Sequence, residues 1–216
     1  MEIIKKTTVQ ATWAELKAAA ETGAIGDLIH SGDLIPFTLK SGENLAVRAT
    51  HDGNGKLFFV LESCMKEFRY MNKVITNQGG WNASDMREYL NTAVFNLLPD
   101  DLQAVIAPTT IVQFENGKRI ESSDNLFLLS VTQVFGKGDW TEIEPEDSKL
   151  DIFVCDNDRV RKRGRPSVWW WLRSPCSLPF GKLPCENFHV VSPSGDIGIT
   201  INANGRHGVV FGFCLI

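Results

Sequence analysis

Four histidines (His30, His51, His189 and His207) and five cysteines (Cys64, Cys155, Cys176, Cys185 and Cys214) carry most of the reactive chemistry in this 216-residue chain. No two histidines stand four apart or in an HExxH context, the pattern that places two imidazoles on one helix face for zinc. Cys176 and Cys185 lie nine residues apart, too far for a zinc knuckle, and no second CxxC accompanies them. The carboxylates Asp139, Glu142, Glu144, Glu146 and Asp147 lack the ordered spacing of an EF-hand and read as a solvated acidic loop. No nucleophile elbow, phosphate-binding loop or dinucleotide-binding glycine pattern is present. A Cys176–His189 nucleophile pair stays open, without a second signature to support it. The expectation is a protein that is not an enzyme and needs no metal or cofactor.

What stands out is crowding. Three of the six tryptophans are consecutive, at Trp169, Trp170 and Trp171, and four of the five cysteines fall in the last 62 residues. Strand alternation sends Trp169 and Trp171 to one face and Trp170 to the other, so at least one should lie outside the core. Between this segment and the closing GVVFGFC run, Leu178, Phe180 and Leu183 stand among prolines and glycines with no periodicity. Such groups form either a satellite core or a recognition loop held by a rigid scaffold. The run Arg159–Pro166 is the strongest local charge, and its Lys162-Arg163-Gly164-Arg165-Pro166 part is similar to the core of a minor-groove AT-hook. Set between two strands of an acidic protein, it reads first as a surface hairpin.

The elements that must position these residues follow from pattern. Thr12 and Glu15 have capping-box spacing before an N-terminal helix that Gly23 stops. PFTL, NLAVRAT and KLFFVLE read as a β-meander with turns at Ser41-Gly42 and Asp52–Gly55. Asn82 or Ser84 caps a helix through MREYLNTAVFNLL, and Pro99 opens a second, DLQAVIA. TTIVQF, NLFLLSV, LDIFVC, WWWLRS, NFHVVS, DIGITI and GVVFGFC read as strands, the last of them central because it is nearly all apolar. This is an α+β pattern of mixed short strands with two main helices.

A formal net charge of -4, with 43% hydrophobic and 22% charged residues, describes an ordinary globular chain. Nucleic acid and anionic lipid are not expected partners of the whole protein. No apolar run reaches bilayer length, so no membrane insertion is expected. The N-terminus lacks the apolar region of a secretory signal, which points to synthesis in the cytoplasm.

WWWLRSP, then Phe188, Val191 and Gly195 at their Phe-x-x-Val-x-x-x-Gly spacing, and the closing GVVFGFC together resemble the C-type-lectin-fold variable proteins of diversity-generating retroelements. GGWNASDMREYLNTAVFNLLPDDLQAVI and DNLFLLSVTQVFG resemble the same bacterial and phage group. The resemblance implies a C-type lectin-like domain over residues 30–216, after an extension at 1–29 that could mediate assembly into a homo-oligomer. It also implies non-catalytic binding of a protein or cell-surface ligand, independent of calcium, with display on a virion or cell surface. The ligand would be met by a hypervariable region at about 169–207, where adenine-directed mutagenesis alters Asn-type codons. An AAC codon so altered cannot give Lys, Glu, Gln, Met or Trp, and in Cys176–Cys185 only Lys182 falls outside the accessible set. The implied variable positions are Cys176, Leu178, Pro179, Phe180, Leu183, Pro184, His189, Ser192, Ile199, Ile201, Asn204, Arg206 and His207. Trp171, Leu172, Arg173, Ser174, Phe188, Gly195, Gly208 and Phe211 would be scaffold. Two alternatives accompany this reading: an oxidoreductase like the formylglycine-generating enzymes, using Cys176 and Cys185, and a DNA-binding module using the KRGRP loop.

Overall fold

Thr12 caps helix α1 (Trp13–Glu21): its hydroxyl accepts from the Glu15 amide, and the Glu15 carboxylate accepts from the Thr12 amide. That reciprocal pair satisfies two amides a helix start would leave unmatched. The computed structural model describes residues 7–115, 117–138, 144–176, 186–197 and 200–215. Strands β1 (Leu34–Thr38), β2 (Asn44–His51) and β3 (Leu57–Leu61) form the expected antiparallel meander.

The main helical region is shorter and more broken than its pattern suggests. Ser84 caps α2 (Asp85–Tyr89), a wider π turn covers Leu90–Val94, and α3 (Phe95–Leu97) continues it. Within the wide turn Asn91 donates to Leu126 O and accepts from the amides of Asn125 and Leu126, matching a loop that would otherwise be unsatisfied. The second helix, α4 (Asp100–Gln103), gives way to β4 (Ile106–Ala107). A hairpin of β5 (Thr109–Glu115) and β6 (Lys118–Asp124) follows, then β7 (Phe127–Leu128), α5 (Val131–Phe135) and α6 (Asp156–Arg159). The chain closes with β8 (Trp170–Pro175), β9 (Asn187–Val191), β10 (Ile201–Asn202) and β11 (Phe211–Leu215). Among the described residues no helix is long and apolar enough to cross a membrane.

The structure is mixed α and β, dominated by strands. The main sheet runs β1-β2-β3-β11-β4, with β7 sharing the β11 edge, and curls into a half-barrel. β11 is central: Phe213 pairs with Phe59 of β3, while Phe211 pairs with Leu128 of β7 and Cys214 with Ala107 of β4. Trp13 of α1 packs edge-on against Phe59 and Phe213, each at 5.9 Å, so the N-terminal helix belongs to the main core. The second sheet is β10-β9-β8.

Three patterns resolve differently from expectation. LDIFVC is not a strand. Leu150, Ile152 and Phe153 are buried from a loop that Asp151 pins, its carboxylate accepting from Thr50 Oγ1 and the His51 amide. NLFLLSV is strand only at Phe127–Leu128, because Ser130 then caps α5. KRIESSD, too polar to suggest a strand, is β6, paired with β5 over seven residues.

Gly195 sets how the turn after β9 seats on α6. Its φ is +89°, and a Cβ there would lie 1.9 Å from the Asp156 carbonyl oxygen. Gly195→Ala should cost about 3 kcal/mol or more, combining left-handed strain with backbone displacement. Gly42→Ala, also at positive φ (+87°) but with nothing within 4 Å, should cost only about 1 kcal/mol. Urea unfolding of both variants measures the difference, and equal losses would mean that the contact with α6 is unimportant.

Candidate functional site

The structure describes only part of the proposed variable set. Leu178, Pro179, Phe180, Leu183, Pro184 and Ile199 lie outside the described residues, as does Cys185. Cys176 is buried just after β8, and its amide donates to Asn187 O at 2.9 Å. Ser192 is buried, and its hydroxyl accepts from the amides of Ser194 and Asp196, which makes it the brace of the Gly195 turn. His189 is half-buried on β9, and burial pushes its imidazole down to about 4. Ile201 is half-buried in β10, Asn204 and Arg206 are exposed, and His207 is half-buried.

Asn204, Arg206 and His207 therefore come together on one turn, and its frame is main chain. The Met71 and Asn72 amides both donate to Ala203 O, at 2.8 and 3.0 Å. Arg69 and His207 exchange amide-to-carbonyl bonds of 3.0 and 3.1 Å, a single antiparallel bridge. The core supports this bridge from below: Trp171, fully buried, donates its indole N–H to Arg69 O at 2.7 Å, and its ring meets the His207 ring edge-on at 5.0 Å. Trp170 is also fully buried, donating to Arg159 O, and Trp169 is the partly exposed member of the trio.

The segment beneath the turn supplies further candidate residues that sequence reading missed. Arg69 lies 3.9 Å over the Tyr89 ring and 5.3 Å over that of Tyr70, while Arg206 lies 6.0 Å over the same Tyr70 ring. Arg163, from the basic run, sits 4.5 Å over Phe68. Glu67 binds Arg69 Nη1 at 2.9 Å. Burial, followed by the Glu67 charge, holds the Tyr89 phenol above its ordinary pKa, so it is neutral and a donor at neutral pH. Burial also lowers the His207 imidazole, which is therefore neutral at pH 7. Further along the segment, Val74 and Ile75 are exposed at 65% and 46%. The result is a half-exposed face of guanidinium and aromatic groups, with an exposed apolar pair four and five residues further along the chain from Tyr70. The only signal for it in the sequence is the Phe68-Arg69-Tyr70 triplet, which has no periodicity to mark it.

The basic run divides. Arg159 and Arg161 are buried, correcting their reading as part of a surface loop, and only Lys162–Pro166 is exposed. Desolvation lowers the Arg161 guanidinium to about 10, and its Nη1 donates to Asp158 O at 2.7 Å. Lys162 bridges to Ser167 and the Arg163 amide donates to Pro166 O, closing the exposed residues into a tight hairpin.

Two other clusters are candidates for chemistry. Ser31 Oγ lies 2.5 Å from Asp151 Oδ2 and 2.9 Å from His51 Nδ1. A hydrolytic triad uses both imidazole nitrogens, one for the serine and one for the carboxylate. Here serine and carboxylate share the Nδ1 side, so the imidazole does not stand between them. The second cluster corrects the solvated-loop reading of Glu144, which is fully buried. Glu144 accepts from Ser174 Oγ at 2.5 Å and Gln113 Nε2 at 3.0 Å, and lies 3.4 Å from the buried Arg173 guanidinium. Burial raises its carboxyl and Arg173 opposes that rise. With every oxygen engaged by the scaffold, Glu144 acts as structural support. Among the described residues no group of three or more His, Cys, Asp or Glu side chains is placed to hold a metal ion.

The lowered His189 imidazole makes stability depend on pH. Between its ordinary 6.5 and about 4, the unfolded chain binds a proton that the folded chain does not, so this contribution is present above 6.5 and lost as pH falls toward 4. His189→Phe keeps the ring and removes the proton site. Urea midpoints of the two proteins should move in the variant's favour from pH 6.5 down to 4. A difference that does not change with pH would show that His189 is protonated as easily in the folded protein.

No curated protein sequence and no solved structure matches the chain. A family model described as a domain of unknown function, DUF6273, matches residues 54–215, a span that runs from the turn before β3 to β11 and takes in the Glu67–Tyr70 segment and the Ala203–His207 turn. The chain belongs to this DUF6273 family.

Proposed function

We propose that this protein is a non-catalytic binding protein that recognises a protein or cell-surface ligand through the Ala203–His207 turn and the Phe68–Tyr70 segment beneath it. The observation that carries the reading is the set Arg69, Tyr70, Tyr89 and Arg206, whose guanidinium groups lie over the rings where the turn is bonded through its backbone to the Arg69 segment. Arg and Tyr dominate binding energy at interfaces because they bring large, stiff contact area and directed donors at low entropic cost. Preorganisation by the Arg69–His207 bridge reduces what binding must spend on ordering the loop.

The reading extends to a C-type lectin-like scaffold diversified by a retroelement. Its support is the WWWLRSP resemblance together with a partial division of labour: Trp171, Arg173, Phe188 and Phe211 are fully buried and Asn204 and Arg206 are exposed, whereas Cys176 and Ser192, buried, fall on the scaffold side. A diversified protein needs that separation, since random substitution is tolerated only where packing does not choose the residue. Display on a virion or cell surface follows from the same reading.

Two measurements test it. Asn204→Ala with Arg206→Ala should change stability by less than about 0.5 kcal/mol, whereas Trp171→Ala should cost about 3–5 kcal/mol. A loss above about 2 kcal/mol for the surface pair would make those residues structural. Deep sequencing of the gene from a growing population should find substitutions confined to adenines in codons 176–207, beside a reverse transcriptase gene and a near-copy of the 3′ end. Substitutions spread evenly along the gene would overturn the retroelement reading.

A further inference from the structure

We propose that the partner presents carboxylates, as an acidic segment of another protein, to Arg163 and Arg206 beside Phe68–Tyr70. This rests on the reading of that face as a binding surface and specifies what it binds. Arg163 reaches the segment from the 162–167 hairpin, whose Lys162 carbonyl accepts from the Cys64 amide at 3.0 Å. Arg206 reaches it from a second neighbour, the turn bridged to Arg69. Each is stacked on a ring, 4.5 Å from Phe68 and 6.0 Å from Tyr70. Neither makes an ion pair among the described residues, in contrast to Arg69, whose charge Glu67 answers. A ring beneath a guanidinium uses none of its N–H donors, which stay available to take a carboxylate in bidentate fashion.

The same stacking argues against a nucleic acid on this face. Single strands bind by laying bases on open aromatic faces beside cations, and here Phe68, Tyr70 and Tyr89 each already carry a guanidinium. The chain's net charge of -4 adds long-range repulsion toward a dense polyanion. The exposed Val74 and Ile75 suit a polypeptide, which pairs carboxylates with apolar side chains at short spacing.

The test is fluorescence anisotropy at low salt with labelled decaglutamate, using decaglutamine and an oligothymidylate of the same length as comparators. Decaglutamate should bind saturably and decaglutamine should not. Arg163→Gln with Arg206→Gln should weaken decaglutamate binding by roughly tenfold or more. Lys17→Gln with Lys118→Gln removes the same charge from α1 and β6 and should leave binding within about twofold, because screened distant charges add little. Equal loss in the two double variants would reduce the effect to net charge and overturn the proposal. Tighter binding of oligothymidylate would overturn it in favour of nucleic acid, and no saturable decaglutamate binding would overturn it outright. None of these results depends on where the gene varies in a population, so failure here is distinguishable from failure of the diversified-binder reading.

Discussion

The buried guanidinium of Arg173 is the constraint around which the second half of the chain is organised. It donates to Leu128 O and Gln133 Oε1, each at 2.8 Å, and pairs with Asp147 and Glu144. An ion taken this far from water is tolerated only when its donors are matched, and removing one partner of such a set typically costs about 3–5 kcal/mol. The four partners come from three places in the chain: β7, α5 and the 144–147 loop. Satisfying one side chain thus fixes three segments against β8, and Gln113 carries the network on to β5 and to the Trp81 amide. Trp81 in turn donates to Asp124, which also binds Arg87 and Ser122, so α2 and β6 are tied to the same centre.

From β8 the constraint reaches the surface in a few steps. With Arg173 anchored, Trp171 lies two residues back along the same strand, and its indole N–H holds the Arg69 carbonyl at 2.7 Å. Arg69 and His207 then hold each other, and Gly208 lets the backbone pass where a Cβ would come within 2.5 Å of Cys64 Sγ. The exposed residues of the turn inherit their rigidity from the core, which the turn enters at the buried Ala203. That is the usual relation between a scaffold and a surface loop that binds.

Sequence pattern made the local signals legible. The capping box at Thr12, the cap at Ser84, the β1–β3 meander and the central place of the last strand all follow from short-range rules, and all are present. What stayed illegible depends on partners far along the chain. LDIFVC has the composition of a strand, yet Asp151 within it is claimed by Thr50 and His51, about a hundred residues earlier. KRIESSD lacks the apolar alternation of a strand, but Asp124 at its end is buried under Trp81, and the β5 ladder satisfies its backbone. Glu144 reads as one more acid in a soluble loop until Arg173 is placed beside it. For the candidate site, Asn204, Arg206 and His207 stood out through their resemblance to variable positions, whereas Phe68, Arg69, Tyr70 and Tyr89 joined them only through folding.

Arginine shows why composition could not have separated scaffold from surface. Arg159, Arg161 and Arg163 follow one another at every second position, yet the first two are buried and the third is exposed. Arg159 is held by Asp156 and by Val134 O, and Arg161 by the Asp158 carbonyl and the Phe153 and Trp170 rings. Arg163 has Phe68 beneath it and, among the described residues, no carboxylate paired with it. A guanidinium that the fold buries against its own carbonyls and rings becomes part of the frame. One given only a ring to lie on keeps its donors for whatever arrives from solution, and the same residue type therefore supports the fold at one position and leaves a binding capacity unspent two residues later.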